Sequence, residues 1–290
     1  MEKYEALIPP CAEGMTLGRY VQQAMPLLPA HVVRDAFEKR DVKMDGRRAG
    51  KDVLAVPGAR VNLFTSYLVD IPVVYEDEHI LLLNKPAGIN CDADVWGGMT
   101  VLSLMEKRSG GAYTPRLCHR LDHPTSGLLL LCKDDESESI LFQLFRNHQL
   151  TKIYQCLVRG EMRPKADTKT AFLVKDAQRA QVRVVTHETP GAVPIATQYE
   201  TLDFDGTLSL LRVTLLTGRT HQIRAHMSFL SHPILGDDKY GDRELNRRLR
   251  PGGLKLCATE LTLFPSGLLS YLNGRHFSID PPFRITKEQE

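Results

Sequence analysis

The stretch HRLDHPTSGLLLLCKD, residues 119–134, contains the pattern that decides the fold. Its four consecutive leucines, residues 128–131, form a short apolar run that is typical of a buried strand. Asp122 lies in the polar segment just before this run, beside Arg120 and His123. Because a loop that enters a buried strand can hold one side chain rigidly, the Asp122 carboxylate is a candidate for chemistry.

Composition places the chain among ordinary soluble proteins. The 290 residues are 42% hydrophobic and 25% charged, and they are sufficient for one large domain and a small one. The longest apolar runs, such as residues 80–83 and 128–132, are far shorter than the roughly 20 residues that cross a bilayer. The N-terminal segment has no continuous apolar region of the kind found in secretion signals. We therefore expect a cytoplasmic protein that does not associate with membranes.

Cysteine spacing and net charge constrain the function only weakly. The six cysteines are scattered singly, so we expect buried, reduced thiols and no zinc or redox motif. The formal net charge of +2 is compatible with a nucleic-acid partner, but the charge must be clustered to matter. Basic residues are clustered within residues 34–51 and 243–255. Solvated helix and turn surfaces remain the alternative explanation of both clusters.

The first part of the chain is predicted to form a small α+β module over residues 1–66. Apolar residues at helical spacing over residues 17–37, interrupted at Pro26 and Pro29, predict two short helices. The segments DVKMDGR and ARVNLF predict two strands, the first of which enters an Asp-Gly turn. A module of this size is too small to hold a catalytic cleft comfortably, so we expect it to bind a partner.

Residues 72–290 are predicted to form the larger domain. Alternation with period two in QVRVVTHE and TQYETLDFDGTLSLLRVTLLTG predicts antiparallel strands, with a turn at Asp205-Gly206. Residues 136–149 present one apolar helical face, and a further helix follows Gly218. Because strands dominate and the helices do not alternate regularly with them, the fold class is α+β and not a doubly wound sheet.

Several familiar catalytic patterns are absent from the sequence. His119 and His123 have the spacing of a zinc-binding helix, but Pro124 follows directly and no glutamate occupies the base position. Ser126 lacks the glycine two residues earlier that a nucleophile elbow requires. No glycine-rich phosphate loop or dinucleotide fingerprint occurs. The sequence therefore predicts neither a metal site nor a nucleotide cofactor.

The remaining pattern combines Asp122 with a dense polar cluster at the start of a predicted helix, which contains Arg219, His221, Gln222 and Arg224. A carboxylate paired with a guanidinium stays ionised at neutral pH, which suits a nucleophile or a base and does not suit a general acid. A purely structural salt bridge between two loops is the alternative, and the spacing alone does not exclude it.

The stretch HRLDHPTSGLLLLCKD resembles the central motif of the RluA-type pseudouridine synthases. Four further stretches resemble motifs of the same family, in the same order, over residues 73–264: VVYEDEHILLLNKPAG, LFRNHQLTKIYQCLVRG, TGRTHQIRAHMSFLSHPILGDDKYG and LKLCATELTLF. The resemblance implies the pseudouridine synthase fold, with a mixed, largely antiparallel sheet. The N-terminal module is more loosely similar to the small RNA-binding module named after a small-subunit ribosomal protein, with VKMDG as the matching segment.

The resemblance implies a cofactor-free isomerisation of uridine in RNA. The glycosidic bond is broken, the detached uracil rotates, and its carbon five is rejoined to the sugar. Asp122 is the implied essential carboxylate, acting either as a nucleophile or as a base. Tyr154 matches the tyrosine that stacks on uracil and helps to remove the proton from carbon five. Arg224 matches the basic residue that pairs with the carboxylate, with Arg219 as its rival.

The target base must be flipped out of its stack to reach Asp122. Arg120 matches the family position near the flipped nucleotide and is expected to fill the space that the nucleotide leaves. The predicted substrate-binding residues are Arg120, Arg219, Lys85, His119 and Gln222, beside the predicted catalytic residues Asp122, Tyr154 and Arg224.

Large-subunit ribosomal RNA is the expected substrate, with transfer RNA second, and a monomer is the expected oligomeric state. Two other functions remain as alternatives. One is an RNA-cleaving enzyme that uses paired histidines such as His119 and His221. The other is a non-catalytic RNA-binding protein, which has no need of Asp122, Tyr154 and Arg224 together.

Overall fold

The computed structural model describes residues 1–93, 95–176 and 181–285. The strands in chain order are β1 (Glu2–Leu7), β2 (Val42–Met44), β3 (Arg47–Arg48), β4 (Arg60–Thr65), β5 (Val73–Glu76), β6 (Ile80–Lys85), β7 (Arg116–Leu117), β8 (Ser126–Cys132), β9 (Leu150–Arg159), β10 (Ala166–Asp176), β11 (Gln181–Val185), β12 (Val193–Phe204), β13 (Leu208–Leu215), β14 (Leu256–Leu263) and β15 (His276–Ser278). The α-helices are α1 (Leu17–Ala24), α2 (Ala30–Glu38), α3 (Val101–Ser109), α4 (Asp135–Arg146), α5 (Gln222–Phe229) and α6 (Arg243–Leu249), and Pro10–Ala12 and Gly267–Leu272 are 3-10 helices.

Contacts between residues divide the chain into two compact units. The first contains Met1–Pro72 and Gly88–Leu117, and the second contains Val73–Ala87 and Cys118–Glu290. The predicted domains, residues 1–66 and 72–290, differ from these units because residues 88–117 belong to the first unit.

The first unit has a four-stranded antiparallel sheet in the order β1-β4-β2-β3, together with α1, α2 and α3. The two predicted short helices are present, and α2 begins directly after Pro29. Asp45 and Gly46 both have positive φ, as a type I′ turn between β2 and β3 requires, so the predicted Asp-Gly turn is confirmed. The first strand, β1, was not predicted from the sequence, although Tyr4 and Ala6 are buried along it.

A close backbone contact attaches residues 88–117 to the first unit. The Met99 N–H donates to the Ala24 carbonyl at 2.7 Å, at the end of α1. A Cβ on Gly98 would lie 2.1 Å from the same carbonyl oxygen, so only glycine fits there. Thr100 and Ser103 then form the capping box that begins α3. The linear pattern of the sequence carries no signal of this contact.

The second unit is built on one large sheet with the strand order β11-β10-β12-β13-β9-β14-β8-β6-β5, and β15 pairs with β14. The pairing of β8 with β14 is parallel, and its neighbours along the sheet are antiparallel. The predicted mixed, largely antiparallel α+β fold is confirmed. The predicted helix at residues 136–149 is α4, and the Asp205-Gly206 turn joins β12 to β13.

Strand β8 lies between β6 and β14 and is buried along its whole length. Leu128 and Leu130 pack in a core cluster with Leu141 and Leu144 of α4, while Leu129 is buried on the opposite face. Gly127, the second residue of β8, has φ 113°, and a Cβ there would lie 2.3 Å from the Ala258 carbonyl oxygen of β14. The close approach of these two strands therefore requires glycine after Ser126.

The expected burial of the cysteines is met with one exception. Five of the six cysteines, all of which lie in the described ranges, are buried and Cys11 is exposed, and none of the six forms a disulfide. Among the residues that the structure describes, no helix combines the length and apolar character needed to cross a bilayer.

Candidate active site

Asp122 occupies a tight loop that leads into β8. Its backbone carbonyl accepts a hydrogen bond from the Thr125 N–H at 3.0 Å, which closes the turn. Lys85, which is fully buried at the end of β6, donates its ammonium to the Pro86 and His123 carbonyls at 2.9 and 3.3 Å. Lys85 thus ties the loop to the end of β6, and the Asp122 side chain is left 24% exposed.

His119 anchors the other end of this loop. Its Nε2 accepts the Leu130 N–H at 3.0 Å, and its ring stacks on Phe145 at 4.5 Å between centroids. Burial lowers the pKa of His119 to about 3, and the nearby charge of Lys152 contributes to this lowering. The ring is therefore neutral at physiological pH, with Nε2 already engaged. This geometry gives no support to the alternative in which His119 acts as an acid or base in RNA cleavage.

Arg224 lies in the first turn of α5 with its side chain 2% exposed. Its Nε and Nη2 donate to the two carboxylate oxygens of Asp237 at 2.7 and 2.8 Å, a bidentate pair. Its Nη1 lies 3.4 Å from Asp122 Oδ2, and Nη2 also reaches the exposed Asp238 at 3.2 Å. The ion pair between Arg224 and Asp122 that the sequence predicted is present in the structure.

The buried carboxylate of Asp237 keeps this guanidinium charged and in place. Burial alone would lower the pKa of Arg224, but the hydrogen bonds and charge of Asp237 raise it above its ordinary value. Burial likewise disfavours the charged form of Asp237, yet its bonds to Arg224 lower the pKa of the carboxyl overall. The pair therefore stays ionised, and Arg224 presents a fixed positive charge to Asp122.

His221 is a further contact of Asp122 and lies just before α5. Its Nε2 is 4.0 Å from Asp122 Oδ2, and its Nδ1 is 2.9 Å from the Tyr240 hydroxyl. Burial lowers the pKa of His221, an effect that the Asp122 charge opposes. The Arg224 guanidinium also lies over the Tyr240 ring, 5.4 Å from its centroid.

Sequence reasoning assigned no role in the isomerisation to Asp237, Tyr240 or His221. Asp237 and Tyr240 lie in ILGDDKYG, at the end of a stretch that resembles a family motif. Their position in that stretch was the one indication of a role in the site. No pattern in the sequence shows that the Asp237 side chain contacts Arg224 or that the Tyr240 side chain contacts His221.

Tyr154 lies in β9 on the same cross-sheet row as the start of β8. It is opposite Ala258 of β14, which is in turn opposite Gly127 of β8. Two strand spacings separate Tyr154 from Gly127, which is about 10 Å between their Cα atoms. The sheet thus brings the buried tyrosine, 6% exposed, near the end of the strand that carries the Asp122 loop.

Lys152 precedes Tyr154 by two residues, so both side chains lie on the same face of β9. Its ammonium lies 5.2 Å from the centroid of the Phe145 ring, which also stacks on His119. Burial lowers the pKa of Lys152. The contact with Phe145 places the Lys152 ammonium near His119, at the start of the loop that carries Asp122.

The remaining predicted site residues fall into two groups. Arg120 and Arg219 are exposed, as contact with RNA requires. Gln222 is buried, and its side chain bonds to Ala196, Thr197, Thr217 and the Arg219 N–H at 2.9 to 3.1 Å. The observed contacts of Gln222, Lys85 and His119 hold loops in place, and their binding of substrate stays a prediction.

Within the described ranges, no group of three or more His, Cys, Asp or Glu side chains is arranged to hold a metal ion. The site combines the accessible Asp122 carboxylate, the buried Arg224 guanidinium, the His221 ring and Tyr154, which lies on the same cross-sheet row as the start of β8. Such a set can supply a nucleophile or base at a fixed point beside an aromatic surface.

A family model described as RNA pseudouridylate synthase matches residues 79–229. The chain belongs to the RNA pseudouridylate synthase family. The ribosomal large subunit pseudouridine synthase C of Escherichia coli strain K12 is 35% identical over 262 residues, which cover 84% of this chain and 81% of that protein. The protein of the same name from Vibrio cholerae is 29% identical over 252 residues, covering 80% of this chain and 79% of that protein.

Solved structures show the same fold in this synthase family. The structure of human RNA pseudouridylate synthase domain containing 4 superimposes with a TM-score of 0.60 at 24% identity, covering 73% of this chain and 88% of that chain. The chain is therefore an isomerase that forms pseudouridine from uridine in RNA, and the predicted family, fold and enzyme class are confirmed. The alternatives of an RNA-cleaving enzyme and of a non-catalytic RNA-binding protein are set aside.

Proposed function

We propose that this synthase modifies uridine in large-subunit ribosomal RNA, in the cytoplasm and as a monomer. The names of its bacterial relatives, at 35% and 29% identity over most of both chains, support this RNA as the substrate. The observation that carries the catalytic assignment is the accessible Asp122 carboxylate, held 3.4 Å from the buried Arg224 guanidinium.

Asp122 starts the reaction on the flipped nucleotide as nucleophile or base. The bond between the sugar and N1 of uracil breaks, the base rotates, and carbon five forms the new bond to the sugar and then loses its proton. Arg224 stabilises the charge of Asp122 without occupying its oxygens with short hydrogen bonds, because its two short bonds go to Asp237 and only a longer contact goes to Asp122. A carboxylate that stays charged and accessible keeps its lone pairs for the substrate.

Tyr154 serves the later part of the reaction. Its ring offers a stacking surface for the rotating uracil, and its hydroxyl assists removal of the proton from carbon five. The position of Tyr154 on the sheet row of Gly127, beside the Asp122 loop, supports this role. Arg120, which is exposed, is proposed to fill the space that the flipped nucleotide leaves, and the exposed Arg219 is proposed to contact RNA phosphates.

The first unit recruits the RNA through its basic hairpin. Arg47 and Arg48 form the exposed strand β3, and Lys39, Arg40 and Lys51 are exposed nearby in the sequence. Positive side chains of this kind bind phosphates and give an affinity that falls with salt. The unit takes no part in the chemistry in this proposal.

Mapping of pseudouridines tests the proposal. Chemical mapping of total RNA from cells with and without the gene should show one or more pseudouridines of large-subunit ribosomal RNA that disappear with the gene. They should return with the wild-type chain and not with Asp122→Asn. If only pseudouridines of transfer RNA are lost, the proposed substrate is wrong. If the ribosomal pseudouridines return with Asp122→Asn, the assigned role of Asp122 is wrong.

A further inference from the structure

We infer that His221 is a positioning residue that donates a hydrogen bond from Nε2 to Asp122, and that the Tyr240 hydroxyl fixes the tautomer able to do so. The inference rests on the proposed role of Asp122. His221 lies at the N-terminus of α5, the helix that carries Arg224, and the Tyr240 hydroxyl contacts it there.

The backbone at His221 holds its ring toward the site. His221 has φ 55° and ψ 17°, the left-handed conformation that few residues other than glycine adopt. This conformation lies immediately before α5, and the resulting ring position gives an Nδ1 contact to Tyr240 at 2.9 Å and an Nε2 contact to Asp122 at 4.0 Å. The imidazole therefore links a tyrosine on one side to the reactive carboxylate on the other.

The partners of Tyr240 determine which ring nitrogen carries the proton. The Val182 N–H donates to the Tyr240 oxygen at 2.9 Å, and the hydroxyl hydrogen remains for a second partner. If it donates to His221 Nδ1, then Nε2 carries the hydrogen and directs it at Asp122. The opposite tautomer would place an Nε2 lone pair against the Asp122 carboxylate, which is electrostatically unfavourable.

Burial is the main reason why His221 is neutral. Burial lowers its pKa, and the charges of Arg224 and Lys239 lower it further, against the opposing effects of Asp122 and Asp237. A neutral imidazole supplies a directed N–H without adding a second full positive charge beside Asp122. Arg224 remains the charge that balances the carboxylate.

Both contacts to Asp122 fall on the same oxygen. Arg224 Nη1 is 3.4 Å from Oδ2 and His221 Nε2 is 4.0 Å from it. Oδ1 is thereby the oxygen left for the substrate, and two groups fix the rotation of the carboxylate about its last bond. The distance of 4.0 Å is longer than a formed hydrogen bond, and such contacts in ligand-free sites often shorten in the complex.

The tautomer can be measured directly in the wild-type protein. Nitrogen NMR of the chain labelled at histidine, at neutral pH, should show a neutral ring for His221 with the hydrogen on Nε2, assigned by the loss of its signals in His221→Asn. A ring with the hydrogen on Nδ1, or a charged ring, would overturn the inference whatever the activity. This test needs no RNA and no functional variant.

Kinetics test the positioning role. Tyr240→Phe keeps the ring beside Arg224 but removes the hydroxyl, and its single-turnover rate should fall by about 10 to 100-fold with unchanged RNA affinity. His221→Asn, which tolerates the left-handed backbone but is too short to donate, should fall at least as far. His221→Gln, whose longer amide can reach Asp122, should recover part of the rate.

A matched control separates positioning from backbone strain. His148 has the same φ of 55° as His221 but is exposed, so His148→Asn should keep the wild-type rate. If Asp122→Asn is inactive but Tyr240→Phe and His221→Asn keep the wild-type rate, the inference about His221 is overturned and the proposed function stands. An active Asp122→Asn variant would instead overturn the proposed function.

Discussion

Asp237 and Asp122 contact the same guanidinium, yet they differ in burial and in the number of hydrogen bonds. The Asp237 side chain is 0% exposed, and besides its two bonds to Arg224 it accepts the N–H groups of Lys239 and Tyr240 at 2.9 Å. Asp122 is 24% exposed and has one longer contact to Arg224. Pairing with Arg224 therefore does not by itself make a carboxylate available to a substrate. Asp122 is set apart from Asp237 by its exposed lone pairs, and from the 79% exposed Asp238 by its place in the loop before β8 and its 4.0 Å contact with His221.

The strongest test of this comparison is Asp122→Asn, which keeps the shape of the side chain and deletes its charge. Pseudouridine formation should fall by at least about 10⁴-fold, equivalent to about 5 kcal/mol of transition-state stabilisation. RNA affinity and the melting temperature should stay close to wild type, because the side chain makes few bonds in the folded protein. If the variant retains a tenth of the wild-type rate, Asp122 has a structural role like that of Asp237 and does not carry the chemistry.

Asp237→Asn should show the opposite pattern, with a large loss of stability. Removing the buried charge leaves Arg224 with only its longer contacts to Asp122 and Asp238, at a cost of about 3 to 5 kcal/mol in the free energy of unfolding. Asp238→Asn is the matched control, because Asp238 contacts the same guanidinium at 3.2 Å but is 79% exposed, and it should cost under about 1 kcal/mol. Equal losses for the two variants in urea unfolding would remove burial as the deciding factor.

The loss in Asp237→Asn should also depend on pH. The folded protein lowers the Asp237 pKa below its ordinary value of 3.8, so this carboxylate contributes stability that is fully present above that value. The contribution disappears as the pH falls through the lower, folded pKa. The difference between wild type and variant should therefore be constant from about pH 5 to 7 and shrink in more acidic urea titrations. A constant difference down to about pH 2 would contradict an ionised Asp237.

Tyr154→Phe extends the comparison to a residue that is buried and is proposed to react. Its ring still stacks, so cleavage and rearrangement should proceed, whereas release of tritium from carbon five of labelled uridine should slow by about 100-fold. Tyr199→Phe is the control, because Tyr199 is a buried tyrosine of the same sheet whose hydroxyl donates to the Pro164 carbonyl at 3.1 Å. Full turnover by Tyr154→Phe would show that only the ring is used.

The smallest expected effect concerns exposed arginines, in contrast to the buried Arg224. Replacing Arg47 and Arg48 with glutamine should reduce the slope of log affinity against log salt by about 0.7 to 0.9 for each phosphate that is no longer neutralised. Lys3 and Arg60 form the control pair, since both are exposed in the same unit but bonded to Glu5. An unchanged slope in filter-binding titrations would show that β3 does not contact RNA.

The local parts of the fold could be predicted from the sequence. The leucine run indicated β8, the two prolines separated α1 from α2, and Asp45-Gly46 indicated a hairpin turn, because each depends on neighbouring residues. The placement of residues 88–117 could not be predicted, since it depends on the fit of Gly98 against a carbonyl of α1 that is distant in the sequence.

The candidate site shows the same division. The motif resemblance singled out Asp122 and Arg224, and the structure places them in contact. Lys85 was predicted to bind substrate, and its ammonium donates to one backbone carbonyl of the Asp122 loop, that of His123, a contact that requires the folded sheet. Asp237 contacts Arg224 and Tyr240 contacts His221 because the chain turns back after α5. No periodicity of the sequence indicates the direction in which these two side chains point.

The parallel pairing of β8 with β14 divides the large sheet into two blocks. One block carries the Asp122 loop and the other carries Tyr154, and the pairing between them comprises the two matched positions Cys257 with Ser126 and Ala258 with Gly127. A methyl group at residue 127 would lie 2.3 Å from the Ala258 oxygen, so the blocks would have to move apart to admit it. The spacing between Asp122 and Tyr154, the residues proposed to start and to finish the reaction, therefore depends on the absence of a side chain at residue 127.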